Sequence, residues 1–515
     1  MVCAMAIPAF AGTEGDITTW HSFSAFQIFT GNVEGNVSND FKISNVAWGS
    51  NIADDAAAFL DQLKSADTIG PLFANAHSAQ DVLEVISQWK DSDANSIAFA
   101  RFVCHYLYPN ANANPTPAVT GGSDALTFNE AGYYLIVDTT PFNPGDFDHA
   151  YNSFLLKVTK ANWREPITPK AEKPSVEKKV FDNQDGTSTG VFGSSADHAI
   201  NEKFQFQLTA TLPASTDHAY DYYDTYAVCF KDTLSQGITY DGLDSVVIES
   251  KGNPGNRYDI TDSSTIDISK LESQNYFEVN IPDVKTCAEG LDLNKGATIT
   301  VTYTAHLNDK AYVNTGSGST ENKNSVQLQY SNNPRPGEYW GTTPKSEVYV
   351  YTYQLNNTKY RDDAKEGNEL AGAGFHLYSD EECKNEVELY QKDGFYFPIK
   401  DSTDKDKEPV AMFSDNKGQF NVKGLDAGTY YLKETNTPAG YSACKVIPVT
   451  IKADHSGNHV TLSGDLNNKI VNKKAGGITL PSTGGIGTTL FYVVGGGLMV
   501  AAIVLLVTKK RMENK

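Results

Sequence analysis

Short runs in which apolar and polar residues alternate fill most of the chain between residues 175 and 474. FQFQLTATLP, TITVTYTAHL and NSVQLQYSNNP are examples, and turn residues separate each run from the next. Because successive side chains of a β-strand point to opposite faces, each run predicts a strand with one buried face. Short strands at this spacing are typical of β-sandwiches. We therefore predict a mainly β protein with tandem sandwiches.

Two proline-rich stretches, WREPITPKAEKPS and NNPRPGEYWGTTPK, interrupt these patterns. A chain of 515 residues is too long for a single core, so we expect several domains. We predict a signal-peptide remnant, an N-terminal domain, a linker, a middle sandwich, a C-terminal sandwich and a tail, at residues 1–11, 12–162, 163–174, 175–345, 346–475 and 476–515.

The region before the first proline-rich stretch mixes two patterns. ADDAAAFLDQLKSA and SAQDVLEVISQWK have helical periodicity, whereas AGYYLIVDTT and NSFLLKVTK predict strands. ANSIAFARFVCHYLY fits either a helix or a buried strand. We therefore expect an α+β N-terminal domain. The preceding MVCAMAIPAFAG has the apolar stretch and small residues of the end of a secretory signal, with cleavage near Ala11.

Charge and motif content argue against several functions. The formal net charge is -21 and the pI is near 4.9, which disfavours binding to nucleic acid or to anionic lipid. The ten histidines are scattered without metal-ligand spacing, and GGSDAL and GSGST are turns rather than phosphate loops. We therefore expect no metal, no cofactor and no turnover active site.

An apolar run of 20 residues at positions 488–507 is long enough to cross a hydrocarbon core as a helix. The basic residues at 509–511 place the C-terminus in the cytoplasm, so the rest of the chain is expected outside. Pro481 keeps the preceding peptide extended, and Gly484 leaves the Thr483 carbonyl sterically open. That pentapeptide is LPSTG, made of Leu480, Pro481, Ser482, Thr483 and Gly484.

The pentapeptide, the apolar run and the basic tail together resemble the LPxTG sorting signal of Gram-positive surface proteins. The resemblance implies that a sortase thiolate attacks Thr483, releases Gly484 onward and passes the acyl group to an amine. It also implies that the apolar run is a transient membrane span and that the protein reaches the cell wall.

Three polar residues of the C-terminal region lie in phase with apolar neighbours. They are Lys359 in the opening strand, Glu434 in GTYYLKETNTPAGY and Asn472 in the closing strand. Asn357 is a further polar member of the first stripe. An acid or amine in phase with core residues is costly to bury unless it has a partner or a chemical role.

These stretches resemble a B-type domain of collagen-binding surface proteins, in which Lys and Asn join spontaneously in an isopeptide bond. The resemblance implies Lys359 as nucleophile, Asn472 as electrophile and Glu434 as proton shuttle. Burial disfavours the ammonium form of lysine, so a neutral amine becomes available. Fixing the two groups in contact supplies an effective molarity equivalent to roughly 7–11 kcal/mol of barrier.

The middle region repeats this logic and resembles the A-type relative of that domain, in which Asp commonly replaces Glu. The implied set is Lys178, Asp232 and Asn324, each in phase with apolar residues of its run. Lys179 is the alternative nucleophile and Asn332 the alternative electrophile. Asn324 is preferred because parallel first and last strands would bring it near Lys178.

The N-terminal region has no counterpart to the acid. AGYYLIVDTTP echoes AGTYYLKETNTP, and aligning the Tyr-Tyr-Leu cores puts Val137 at the position of Glu434. We therefore predict no isopeptide bond there.

Among the cysteines we predict a disulfide between Cys383 and Cys444, which flank core strands of the C-terminal region. Besides Cys3 of the signal segment, three cysteines remain: Cys229 and Cys287 could form a second pair, and Cys104 is expected to stay free.

The proline-rich linker carries Lys170, an amine that an acyl-enzyme could reach. Here the chain resembles the backbone pilins of sortase-built pili, which present a lysine before the second domain. The usual W-x-x-x-V-x-V-Y-P-K motif is only partly present, as Trp163 and Pro169-Lys170 at shorter spacing, and Lys173 is an alternative.

Backbone-pilin resemblance implies a structural role in which Thr483 of one subunit is joined to Lys170 of the next. The implied partners are pilin-specific and housekeeping sortases, further copies of the chain, accessory pilins and peptidoglycan. The alternative function is a monomeric wall-anchored adhesin whose N-terminal domain binds a host ligand.

Overall fold

The computed structural model describes most of the chain between residues 21 and 475. Residues 1–20 and 476–515 lie outside the described part, as do 38–40, 91–92, 111, 123–124, 141–153, 168–172, 184–189, 253–254, 316–320, 337–339, 401–405 and 457–458. The predicted signal remnant, Lys170, the LPSTG pentapeptide and the apolar run therefore fall outside it. Within the described residues, no helix is both long enough and apolar enough to cross a membrane.

The N-terminal region combines one five-stranded sheet with three helices. The sheet has the order β2-β1-β5-β6 with β3 also paired to β1, and β4 pairs separately with β7. The strands are β1 (Phe23–Glu34), β2 (Lys42–Trp48), β3 (Val119–Gly122), β4 (Ala125–Phe128), β5 (Gly132–Asp138), β6 (Leu155–Thr159) and β7 (Trp163–Pro166). The helices are α1 (Ala56–Lys64), α2 (Ala79–Ile86) and α3 (Ala94–Leu107).

The stretch that fitted either a helix or a strand forms α3. Five of its six buried residues recur at the three- and four-residue spacing of one helix face: Ile97, Ala100, Val103, Cys104 and Leu107. This face joins a core whose other members come from the sheet and from α1 and α2. The α+β prediction for this region therefore agrees with the structure.

The middle region is a sandwich of two sheets. One has the order β10-β20-β18-β12-β16-β15, with β19 also paired to β18, and the other has the order β14-β13-β17-β11-β8-β9. The strands are β8 (Ser175–Asp182), β9 (Val191–Gly193), β10 (Ser195–Asp197), β11 (Lys203–Leu212), β12 (Val228–Leu234), β13 (Ile238–Ser250), β14 (Arg257–Asp259), β15 (Thr265–Asp267), β16 (Tyr276–Ile281), β17 (Ala297–Leu307), β18 (Asn322–Ser331), β19 (Trp340–Thr342) and β20 (Ser346–Tyr351). A one-turn helix α4 (Leu271–Gln274) precedes β16.

The C-terminal region is a second sandwich of two five-stranded sheets. Their orders are β23-β24-β26-β21-β30 and β25-β22-β27-β28-β29. The strands are β21 (Tyr353–Arg361), β22 (Gly374–Tyr378), β23 (Leu389–Lys392), β24 (Phe395–Pro398), β25 (Met412–Phe413), β26 (Val422–Leu425), β27 (Gly428–Asn436), β28 (Ile447–Ser456), β29 (His459–Gly464) and β30 (Asn467–Asn472). Among the described residues, short 3-10 helices lie at Ala53–Asp55, Gly70–Phe73, Ala219–Tyr222, Thr261–Ser263 and Leu293–Lys295.

The boundary expected at residues 345 and 346 needs a correction. The run EVYVYTYQL is two strands rather than one, because β20 hydrogen-bonds to β18 of the middle sandwich while β21 belongs to the next one. Only Thr352 separates them. The middle sandwich therefore extends to Tyr351, and the chain passes from one sandwich to the other almost without a linker.

Candidate functional sites

The residues predicted for the C-terminal site meet between its two sheets. Lys359 lies on β21, which pairs in parallel with β30, and Arg361 is the register partner of Asn472. Glu434 lies on β27 of the facing sheet. Alternation along each strand turns all three side chains into the core, and none of their side chains is more than about 1% exposed. The first and last strands of this sandwich are therefore neighbours, as the proposed bond requires.

The three groups form a continuous hydrogen-bonded chain. Lys359 Nζ lies 2.6 Å from Asn472 Oδ1, and Asn472 Nδ2 lies 2.6 Å from Glu434 Oε1. The second carboxyl oxygen, Oε2, is 3.5 Å from Lys359 Nζ. One carboxyl group thus bridges the amine and the amide nitrogen, which is the geometry needed to carry a proton from one to the other.

The surroundings of Lys359 favour a neutral amine. Burial lowers the pKa of Lys359, while the nearby Cys444 and Glu434 act in the opposite direction. The Phe375 ring covers the amine at 5.0 Å, and the Cys444 thiol lies 3.7 Å from Nζ. The backbone N–H of Cys444 also donates to Glu434 Oε2, at 2.8 Å. Asn357, the extra polar member of the stripe, has a separate structural role, donating to the Phe420 carbonyl.

The predicted middle site also assembles, but across the sandwich rather than between paired strands. Lys178 on β8 belongs to one sheet, whereas Asp232 on β12 and Asn324 on β18 belong to the facing one. Sequence reasoning that placed Asn324 on a strand parallel to β8 was therefore wrong, because β8 pairs with β11 and β9. All three residues are nevertheless fully buried.

Tyr303, a residue that sequence reasoning missed, connects the middle site. Lys178 Nζ donates to Asp232 and lies 3.0 Å from the Tyr303 hydroxyl. Asn324 Nδ2 donates to the same hydroxyl at 2.6 Å, while Asn324 Oδ1 is buried with no hydrogen-bond partner in the described part of the chain. The available signal was the position of Tyr303 on the buried phase of TITVTYTAHL.

Ionisation in the middle site follows from its burial. Burial lowers the pKa of Lys178 to about 8, opposed by the Asp232 charge. Burial also raises the pKa of Asp232, opposed by Lys178. The alternative nucleophile Lys179 is partly exposed, with its Nζ 3.2 Å from Glu177. Asn332 is buried beyond the end of β18.

The cysteine prediction was wrong. Cys383 and Cys444 are both free thiols: Cys383 lies in a surface turn at φ +52°, while Cys444 faces Lys359. Their thiols contact different groups: Cys383 Sγ lies 3.7 Å from the Glu381 carbonyl, and Cys444 Sγ lies 3.7 Å from Lys359 Nζ. Cys104, Cys229 and Cys287 are free as well.

Val137 occupies the buried position that corresponds to Glu434, on β5 beside Ser24 of β1. The absence of an isopeptide bond in the N-terminal region remains a prediction.

Of the two linker lysines, only Lys173 lies among the described residues.

Comparisons with known proteins agree with this architecture. Residues 354–465 match the family model "SpaA: Prealbumin-like fold domain", and residues 472–514 match "LPXTG cell wall anchor motif". The trypsin-resistant surface T6 protein of Streptococcus pyogenes serotype M6 is 26% identical over 362 residues, which cover 64% of this chain and 58% of that protein. The chain thus spans a little over half the length of the curated relative that it matches.

Two solved pilin structures are among the matches. One is the T6 backbone pilin of serotype M6 S. pyogenes, at 16% identity and a TM-score of 0.46, covering 88% of this chain and 96% of that one. The other is the 35 kDa C-terminal fragment of the major pilin GBS80 of Streptococcus agalactiae, at 22% identity and a TM-score of 0.40, covering 58% of this chain and all of that fragment.

The sandwich fold and the anchor motif define a surface protein held at the cell wall of a Gram-positive bacterium. With the prealbumin-like domain and the similarity to the T6 protein, the chain is similar to backbone pilins of Gram-positive bacteria. Such proteins are structural subunits.

Proposed function

We propose that the chain is the repeating structural subunit of a covalently polymerised pilus, strengthened by an isopeptide bond inside each sandwich. The observation that carries the internal bonds is the buried contact of Lys359 Nζ with Asn472 Oδ1 at 2.6 Å, with Glu434 on the other side of the amide. The observation that carries polymerisation is the LPXTG anchor match, which includes the LPSTG pentapeptide.

Formation of the C-terminal bond is a single, balanced condensation. The neutral Lys359 amine attacks Cγ of Asn472, and the new C–N bond replaces the bond to Nδ2. Glu434 accepts the proton that the amine loses and delivers it to the departing nitrogen, which leaves as ammonia. The carboxyl group ends in its initial protonation state, so no cofactor is consumed. The hydrogen bond from Asn472 Nδ2 to Oε1 and the 3.5 Å separation between Oε2 and Lys359 Nζ support the role of proton shuttle.

The middle bond would join Lys178 to Asn324 by the same chemistry, with Asp232 as the acid. Tyr303 supports this step by holding Lys178 and Asn324 on one hydroxyl. The unsatisfied Asn324 Oδ1 also supports it, because a buried acceptor without a donor is a source of strain that bond formation and repacking can relieve.

Polymerisation would transfer the Thr483 acyl group of one subunit to Lys170 of the next, through a sortase thioester. Repeating this head-to-tail contact yields an open filament rather than a closed ring. A pilin sortase would build the polymer, a housekeeping sortase would join its base to peptidoglycan, and accessory pilins would share the same chemistry.

Intact-mass measurement of the full chain tests the internal bonds. Each bond lowers the mass by one ammonia, so two losses are expected, and K359A and K178A should each restore one. Lys179→Ala is the matched control and should leave both losses in place. A full chain at the unmodified mass would contradict both bonds.

Co-expression with a pilin sortase tests the polymer. A ladder of high-mass species that survives hot SDS is expected for the wild type and for Lys173→Ala, but not for Lys170→Ala. A ladder that Lys173→Ala removes instead would assign the acceptor to the second lysine. Monomer alone, attached to the wall, would favour the monomeric adhesin.

A further inference from the structure

Three acids, two of them buried and the third, Glu202, partly exposed, lie at the junction of the middle and C-terminal sandwiches. Asp197 ends β10 and Glu202 follows it in the loop to β11, whereas Asp426 lies in the turn between β26 and β27. Asp197 and Asp426 are only 4% and 7% exposed. The junction itself is tightly packed: Gly424, at φ +81°, lies so close to Ile200 that an added Cβ would be 2.6 Å from that side chain. Buried carboxylates are rare without paired cations or metal ions.

His198 directs an unpartnered nitrogen toward these acids. Its Nε2 lies 2.7 Å from the Phe181 carbonyl, and its ring stacks on Phe204 at 4.2 Å. Because a carbonyl only accepts, Nε2 carries the hydrogen and a neutral ring has its lone pair on Nδ1. Nδ1 has no hydrogen-bond partner in the described chain, and it lies 3.8 Å from Glu202 Oε1, too far for a hydrogen bond. His198 is 1% exposed.

Tyr353, the first residue of β21, is a second buried polar group at this junction. Its hydroxyl is buried and lacks a hydrogen-bond partner among the described residues.

The cations that face the group are few and placed at its edges. Lys400 Nζ lies 3.9 Å from Glu202 Oε2, and His455 Nε2 lies 2.8 Å from Asp197 Oδ1. Asn183 Nδ2 donates to both Glu202 and Asp426, at 2.9 and 3.1 Å. Among the described residues, these contacts place no lysine or arginine between His198, Glu202 and Asp426.

We propose that His198 Nδ1, Glu202 and Asp426 bind one divalent transition-metal ion, of the Zn²⁺ or Mn²⁺ kind. One ligand atom from each residue lies within 4.8 Å of the other two. Two ligands at about 2.1 Å from a shared ion lie some 3–4 Å apart, which matches the His198–Glu202 separation. Imidazole nitrogen with carboxylate oxygen favours these ions over Ca²⁺ and Mg²⁺, which take oxygen ligands.

Two further features fit a metal site: the outer hydrogen bond of His198 and an open route to the acids. The contact of Nε2 with the Phe181 carbonyl is the outer hydrogen bond that fixes the ring of a ligating histidine. A cleft of about 730 Å³, lined by Glu202, Asp426 and Lys400 among others, opens onto the site and gives an ion a route to it. The sequence did not indicate the site because its ligands come from two separate sandwiches.

The ion would connect the two sandwiches beside their short covalent link at Thr352. His198 and Glu202 belong to the middle sandwich, and Asp426 belongs to the C-terminal one. Binding would therefore resist bending at the junction. Metal binding does not depend on sortase or on the isopeptide bonds, so the metal proposal can fail or succeed independently of the proposed pilus function.

Equilibrium dialysis of the full chain, purified in detergent with a histidine-free tag, tests the proposal. After removal of metals with a chelator, ZnCl₂ or MnCl₂ alone should load one ion per chain, as measured by elemental mass spectrometry. H198Q and D426N should each weaken binding by about tenfold or more. Glu388→Gln, an acid in the same cleft, and His459→Gln, an exposed histidine, are matched controls that should bind normally.

A spectroscopic measurement on the wild type keeps the test independent of variant folding. Bound Mn²⁺ should give electron spin-echo modulation from one imidazole nitrogen, and H198Q should abolish it. Absence of stoichiometric binding would overturn the proposal, as would bound Mn²⁺ without nitrogen coupling. Binding that H198Q and D426N leave unchanged would also overturn it, because the ion would then lie elsewhere.

Discussion

Glu434→Gln is the change that most directly tests the chemistry of the C-terminal sandwich. Gln has nearly the shape of Glu, so packing between β27 and β30 should be retained, but an amide cannot shuttle the proton. We expect Lys359 and Asn472 to remain unlinked, and the mass of the full chain to show one ammonia loss fewer.

The effect on stability follows from the length of the loop that the bond closes. Lys359 and Asn472 are 113 positions apart, and cross-linking a loop of that length stabilises by about 5 kcal/mol in the chain-entropy model. For a sandwich of this size, the loss corresponds to a fall in melting temperature of about 20 °C. Differential scanning calorimetry of the full chain should show this fall in one transition.

Two variants separate the cross-link from other effects. Lys359→Met also prevents the bond but removes the buried amine, so it should lose the cross-link contribution without leaving an unlinked amine in the core. Glu386→Gln changes a partly exposed acid of the same sandwich, paired with His376, and should change neither mass nor melting temperature appreciably. Retention of the ammonia loss in E434Q would refute the shuttle role. An unlinked K359M that melts within a few degrees of wild type would refute the stability argument.

Three further outcomes are expected. Tyr303→Phe should slow the middle bond by about tenfold or more, seen as a delayed ammonia loss in time-resolved mass spectrometry of cell-free product, because it removes the hydroxyl shared by Lys178 and Asn324. The rate of the same bond should rise as pH increases toward about 8 and then level off, since burial lowers the pKa of Lys178 to about 8 and the neutral amine dominates above it. Cys383 should react with maleimide in the folded protein without added reductant, because its thiol is free and partly exposed.

Each of these has a result that would contradict it. Tyr240→Phe, a nearby core tyrosine whose ring lies 5.7 Å from that of Tyr303, is the matched control and should form the bond at the normal rate. A rate that is flat between pH 6 and 9 would show that deprotonation of Lys178 does not limit the reaction. Labelling of Cys383 only after reduction would restore the disulfide to consideration.

Local patterns in the sequence were sufficient to predict which side chains of the C-terminal site are buried. Lys359, Glu434 and Asn472 each follow the two-residue phase of an apolar strand, and that phase alone places a side chain on the buried face. The structure adds that β21 and β30 are parallel neighbours, which brings Lys359 and Asn472 within hydrogen-bonding distance. The strand phase could be obtained from the sequence, whereas the distance could not.

For the middle site, local sequence patterns predicted burial but not the arrangement of the strands. Burial of Lys178, Asp232 and Asn324 followed from alternation, but the argument from parallel strands failed because Lys178 and Asn324 lie on facing sheets. Tyr303 joins them only because β17 is placed two strands from β8, with Phe206 of β11 between. Sheet order is set by contacts far apart in sequence, so no periodicity within one strand encodes it.

The sequence by itself determined the mainly β architecture, the buried phase of the reactive side chains and the cell-wall anchor, because each depends on residues close together in the chain. Tertiary structure alone decided that EVYVYTYQL divides between two sandwiches, that Cys444 faces Lys359 rather than Cys383, and that His198 meets Asp426 across the junction. Those outcomes depend on which strands and loops pack together, and that choice is made by the combined burial of the whole chain rather than by any local pattern.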